Sequence, residues 1–184
     1  MPAIQELLTE YDRAQVYTKD LWRDLTEDEV VWRPNEQSSA IGWHLGHQAA
    51  VAHFMVRNLT AAEPSPDPEL DVIMDSATPE RDRGNLPDLG RLAEYRNNVA
   101  QRVRLRVGDI DRGAVGAPEQ LRCIAETLLV AVINHEYQHS KWIGEVRSGQ
   151  FGHALPETPV SDHLLVIDGY VVVGQRSSPG SQDG

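Results

Sequence analysis

Apolar residues recur at the 3.6-residue spacing of an amphipathic helix in four stretches of the chain. The first places Ile4, Leu7, Leu8, Tyr11, Ala14, Leu21, Trp22 and Leu25 on one stripe. "TEDEVVWRP" follows, where Thr26 and Glu29 have the spacing of a capping box and Pro34 ends the turn. A second helix is expected to start at Ser38 or Ser39, either a suitable N-cap, and to run to about Leu59. The third takes "DLGRLAEYRNNVAQRVRLRV", with Leu92, Tyr95, Val99, Val103 and Val107 inward. The fourth runs from about Pro118 to Ser148. Between the second and third, "AAEPSPDPELDVIMDSATPERDRGNLP" is rich in proline and acid. It reads as a long connection with little regular structure, by default a solvated linker and otherwise a cover over one end of the bundle.

The tail changes period. "HLLVIDGYVVVG" is two β-rich runs around Asp168-Gly169, which predicts a type I′ hairpin at about 163–174. A lone hairpin is marginal in water, so it is expected to pack on the helices or on a second subunit. "RSSPGSQDG" after it reads as a frayed end. Four long amphipathic helices without a central sheet predict an all-α four-helix bundle over residues 1–150, with residues 151–184 as an extension. The connection between helices two and three can cross the bundle's length of about 30 Å, so those helices can run parallel. The short link "DIDRGAVGA" suits antiparallel neighbours, and the expected topology is up-down-down-up.

Composition narrows the function. The 184 residues are 40% hydrophobic and 24% charged, ordinary for a globular domain. A net charge of −11 disfavours nucleic acid and anionic membrane surfaces, which are bound mainly through Lys and Arg. No apolar run approaches a membrane span, and the N-terminus lacks the basic n-region of a signal peptide. The lone Cys123 fits a reducing compartment, so a cytoplasmic protein with a small-molecule substrate is expected. Cys123 also lies off the histidine face of its helix and reads as a bystander.

The candidate chemistry lies in the seven histidines. His135 and His139 are about 40° apart on the fourth helix, on a face with Leu128, Val132, Trp142 and Ile143. On the second helix, Trp43, Ala50, Val51 and Phe54 fall within about 60° of His47. Three imidazoles buried together without a ligand would leave several nitrogens unpartnered, whereas a divalent metal satisfies one on each ring. His47, His135 and His139 are therefore the expected metal ligands. His44 lies off centre beside them, and His53 projects with Arg57 to the polar side as a solvated group. Trp43, His44, Phe54 and Trp142 would line a substrate pocket, although core packing also accounts for the aromatics. Gln48 and Gln138 flank the ligands.

His135 to His139 also spells H-E-x-x-H, the zinc protease pattern, in which Glu136 would be the general base. The extended form of that motif fails, because Trp142 and Glu145 stand where a glycine and a third histidine belong. No strand precedes the helix to align a peptide. Glu136 is then either a catalytic acid–base or a group supporting the ligands from the helix flank. Three neutral histidines leave a divalent ion with an open position, the catalytic pattern. Zinc, nickel and iron(II) all accept imidazoles. Such an ion lowers the pKa of bound water toward about 7 and holds a bound thiol as its thiolate.

"LTEDEVVWRPNEQSSAIGWHLGHQAAV" together with "INHEYQHSKWIGEV" resembles the DinB/YfiT-like superfamily of metal-binding four-helix bundles, over roughly residues 3–149. The resemblance assigns the family's ligands to His47, His135 and His139, in agreement with the stripes. It implies a metal-dependent enzyme that transfers a low-molecular-weight thiol to a small electrophile. A hydrolase using bound water, or a non-enzymatic module with a structural metal, are the alternatives. Similar bundles dimerise, and the apolar hairpin offers a surface for a homodimer.

Overall fold

The computed structural model describes residues 2–59 and 63–174. Its elements are α1 (Ile4–Trp22), α2 (Glu27–Val31), α3 (Ile41–Arg57), α4 (Pro68–Ile73), a 3-10 turn (Glu80–Asp82), α5 (Leu89–Asp111), α6 (Pro118–Phe151), β1 (Leu164–Ile167) and β2 (Tyr170–Val173). The long helices α1, α3, α5 and α6 form the expected bundle, and side-chain bonds between them fix its sense. Thr18 meets Ser140 and Arg147 reaches the Leu21 carbonyl, so α1 and α6 run parallel. Gln15 meets Arg96 and Gln5 meets Asp111, so α5 opposes α1. Gln48 donates to the Glu136 carbonyl and His44 touches His139, so α3 opposes α6. That is up-down-down-up.

Local chemistry explains most boundaries. Thr26 Oγ1 accepts from the Glu29 amide while Glu29 Oε2 accepts from the Thr26 amide, the predicted reciprocal cap. Asp88 caps α5 by accepting from the Arg91 amide. The start of α3 differs from expectation. Its N-cap is Ala40, with no side-chain cap, and neither Ser38 nor Ser39 serves. Ser39 Oγ instead accepts from Arg83, and the buried Ala40 and Ile41 set where the helix begins.

The connection between α3 and α5 is not the solvated linker its composition suggests. It folds a short helix capped by Asp67 with Pro68 in its first turn, and it buries Leu70 and Met74 completely. Arg33, from the W-R-P turn, donates to the Glu80 and Arg81 carbonyls and pins the segment across the bundle end. Two apolar anchors are enough to dock a stretch that is otherwise acid and proline. Thr60, Ala61 and Ala62 lie outside the described residues, as does the expected frayed end "RSSPGSQDG".

The hairpin forms as predicted. Leu164 pairs with Val173 and Ile167 with Tyr170. Asp168 (φ 51°) and Gly169 (φ 80°) supply the two positive φ angles of a type I′ turn. It packs on α6 of its own chain. The Val173 amide donates to Asn134 Oδ1 at 2.7 Å, and Lys141 Nζ lies 5.0 Å from the Tyr170 ring centroid.

Candidate metal centre

His47 on α3 and His135 and His139 on α6 converge near one end of the bundle. One nitrogen from each lies within 4.8 Å of the others. Ring centroids are 4.4 Å apart for His135–His139, 5.0 Å for His47–His139 and 5.2 Å for His47–His135. Tetrahedral bonds of about 2.0–2.1 Å to a zinc ion require nitrogens about 3.3 Å apart, within reach of small side-chain rotations.

The hydrogen bonds around the triad suit ligation. His47 Nδ1 lies 2.7 Å from the Met74 carbonyl, which only accepts, so Nδ1 carries the proton and Nε2 keeps its lone pair. His139 Nδ1 lies 2.7 Å from His44 Nδ1. With the proton on His139 Nδ1, His44 accepts it and His139 Nε2 is free to ligate. Burial, reinforced by the adjacent rings, pushes His139 down to about 2 and His135 and His44 to about 4. Burial also lowers His47, opposed in part by the Met74 hydrogen bond. All four rings are therefore neutral at pH 7, the form a metal requires.

A polar network below the triad sets the spacing of α3 and α6. Glu136 is buried, and its Oε1 accepts from Arg96 Nη2 at 2.6 Å and from Thr18 Oγ1 at 2.7 Å. Arg96 also donates to the Leu45 carbonyl and to Gln48 Oε1. Gln48 Nε2 donates to the Glu136 carbonyl at 2.8 Å and to Ser140 Oγ at 3.3 Å. Residues of all four long helices meet here, one position from His47 and one from His135. Glu136 thus holds the scaffold with its carboxylate directed to α1 and α5, and it is absent from the cluster of ligating groups. Arg96 was hidden by its charge, although its spacing from Leu92 and Val99 places it on the buried face.

The other pocket residues divide. Trp43 is buried, stacks on His47 at 4.4 Å and 12°, and donates to the Ile73 carbonyl. Arg83 covers its ring at 4.2 Å. Trp142 lies edge-on to His139 at 4.8 Å. Phe54 is 57% exposed and stands at a cavity rim, not in the apolar core. His53 does not project to solvent as expected: it is only 2% exposed, and neither ring nitrogen has a hydrogen-bond partner among the described residues. Both helical stripes were centred slightly wrong. The buried face of α6 runs through Leu129, Val132, Glu136, Ser140 and Ile143, while Leu128 and Trp142 are only half-buried. His135 therefore lies half-buried at the border of the core, while His47 and His139 are buried.

Two cavities flank the triad. His47 forms part of the wall of one, of about 310 Å³, between α3 and the segment 71–76. His135 contributes to the other, a cleft of about 560 Å³ between α6 and the hairpin, with Met55, Ile167, Tyr170 and Val172 as apolar wall.

A four-helix bundle with three converging imidazoles on antiparallel helices defines a histidine-triad protein able to hold a divalent metal. The chain matches the model of the DinB superfamily over residues 10–143 and belongs to that family. No curated protein matches it. The matched span ends before the hairpin. No described helix is long and apolar enough to cross a membrane.

Proposed function

We propose that this protein is a metal-dependent transferase that joins a low-molecular-weight thiol to a small electrophile. The observation that carries this reading is the placement of the triad between two cavities of different character, each reaching one ligand. The first cavity carries the charged groups Arg57, Asp71 and Asp75 and the second is mainly apolar, which would give a thiol and an electrophile separate approaches to one centre. His47, His135 and His139 would hold zinc, nickel or iron(II), and such an ion would lower the pKa of a thiol bound to it, making the nucleophile. The Met74 carbonyl keeps His47 in the ligating tautomer, and His44 would do the same for His139 by accepting its Nδ1 proton. Trp43 and Trp142 flank the rings and limit water at the centre. Glu136, tied to Arg96, is a positioning residue of the scaffold rather than a proton carrier.

A screen of cellular thiols against alkyl and aryl electrophiles, with metal restored, tests the reading. Turnover that needs both thiol and metal and is abolished by His47→Ala is expected. Metal-dependent turnover without any thiol would make it a hydrolase instead. No turnover with any pair, together with unfolding on chelation, would make the metal structural.

A further inference from the structure

His53 has no role in the triad, yet it is the most conspicuous polar group near it. Its ring is buried and both nitrogens lack partners among the described residues. A buried imidazole whose nitrogens go unpaired costs about 1–3 kcal/mol for each unmet group, so an orphan of this kind calls for an explanation. His53 forms part of the wall of the 310 Å³ cavity that also reaches His47. From His47 to Arg57 the wall follows ten residues of α3, about 15 Å. The volume is at the small end of the ~300–1,000 Å³ range of ligand sites.

The charges along this cavity are mixed. Arg57 stands at the far end, over the Phe54 ring at 5.0 Å, and makes no ion pair among the described residues. Asp71 and Asp75 face it from the other wall. Each has one oxygen engaged, Asp71 Oδ1 by the Tyr95 hydroxyl and Asp75 Oδ1 by the Ala77 amide, which leaves the second oxygen of each for another donor. A purely anionic ligand would meet two carboxylates, and a purely cationic one would meet Arg57. A molecule with both charges meets each with its complement, and its amide or hydroxyl groups can satisfy an imidazole as donor and acceptor at once.

We propose that this cavity binds a small zwitterion of amino-acid or short-peptide type, its carboxylate on Arg57, its ammonium on Asp71 and Asp75, and its middle hydrogen-bonded to His53. As the site of the polar substrate this rests on the two-substrate reading above; as a binding site it stands on the cavity alone. His53 is then a specificity residue, because it rewards a ligand with polar atoms at mid-length and rejects an alkyl chain of the same span.

The test is titration of the full-length protein, with metal and stripped of it, followed by amide chemical shifts. The probes are glycylglycine, succinate as dianion and putrescine as dication. Glycylglycine is expected to move the amides of Ala50, Val51 and residues 74–76, and to bind at least tenfold more tightly than either control. His53→Phe keeps a flat aromatic ring and removes the orphan nitrogens. It is expected to fold at least as stably as wild type and to weaken glycylglycine at least tenfold. Arg57→Ala, at the open end of the cavity, is expected to weaken it similarly without affecting metal content. Equal binding of glycylglycine by wild type and H53F, tighter binding of succinate or putrescine, or no shifts at these amides would overturn the proposal. Since the metal-free protein is titrated as well, a missing metal centre and a missing zwitterion site give separate results.

Discussion

His44 shows how a single side chain can bear on the three converging rings without being one of them. It is not one of the three converging rings, but its Nδ1 lies 2.7 Å from His139 Nδ1, and with the proton on His139 Nδ1 the His139 Nε2 keeps its lone pair. Losing such a partner lowers metal affinity about 10–100-fold in comparable centres. His44→Ala is expected to fall in that range by competition with a chromophoric chelator, with unchanged far-UV circular dichroism. Unchanged affinity would mean that His139 is oriented by packing alone. Glu136 makes the opposite case. Glu136→Ala leaves Arg96 buried and unpaired, a loss of about 3–5 kcal/mol in urea unfolding. Glu136→Gln keeps the hydrogen-bonding shape, so it should retain the full metal content and most of the turnover. A drop of several orders of magnitude in kcat with intact metal would restore Glu136 as a general base.

At the scale of elements, the centre depends on the register of α3 against α6 and on the segment that crosses behind α3. The convergence of His47, His135 and His139 was legible because each shares a face with apolar neighbours, and helical spacing is a strong signal over such long stretches. The hairpin was legible from Asp168-Gly169, where the turn requires two positive φ angles. The role of residues 63–88 was not. Proline and acid dominate its composition, while its docking rests on Leu70 and Met74, too few to give a period. His53 was misplaced for a related reason. Its face reads as polar because Arg57 stands one turn on, but the chain packed against a face decides burial, and residues 71–76 of this same segment line the cavity beside it. Gly46 is where the two elements meet, since a β-carbon there would overlap the Met74 side chain. Gly46→Ala is expected to cost about 1–3 kcal/mol and to displace the Met74 carbonyl from His47. Its metal affinity should fall even where the fold persists, and an unchanged affinity would show that the carbonyl is dispensable.

For the whole molecule, the bundle and the centre make separable contributions to stability. Leu7, Leu21, Leu45, Val103, Ile133 and Ile143 are fully buried at positions spread along the helices, each worth about 1.5–3 kcal/mol of transfer free energy. Chelation is therefore expected to leave most of the helical signal in place. The metal-stripped protein should also be acid-sensitive in a defined window. His44 and His135 titrate near 4 in the folded state and His139 near 2, against an ordinary value of about 6.5 when unfolded. As pH falls below about 6.5 the unfolded chain takes up protons that the folded one refuses, so stability is lost progressively down to about pH 4, and further for His139. Raising the pH back above 6.5 recovers it. A urea midpoint that is flat between pH 6.5 and 4 would contradict this burial.

The triad itself is tested most directly by elemental analysis of protein expressed without an affinity tag and purified without metal columns. One equivalent of a divalent transition metal per chain is expected, falling to background in both His47→Ala and His139→Ala while each variant keeps its helical spectrum. Wild-type protein without metal even after reconstitution, or full occupancy in either variant, would contradict a three-histidine centre shared between α3 and α6.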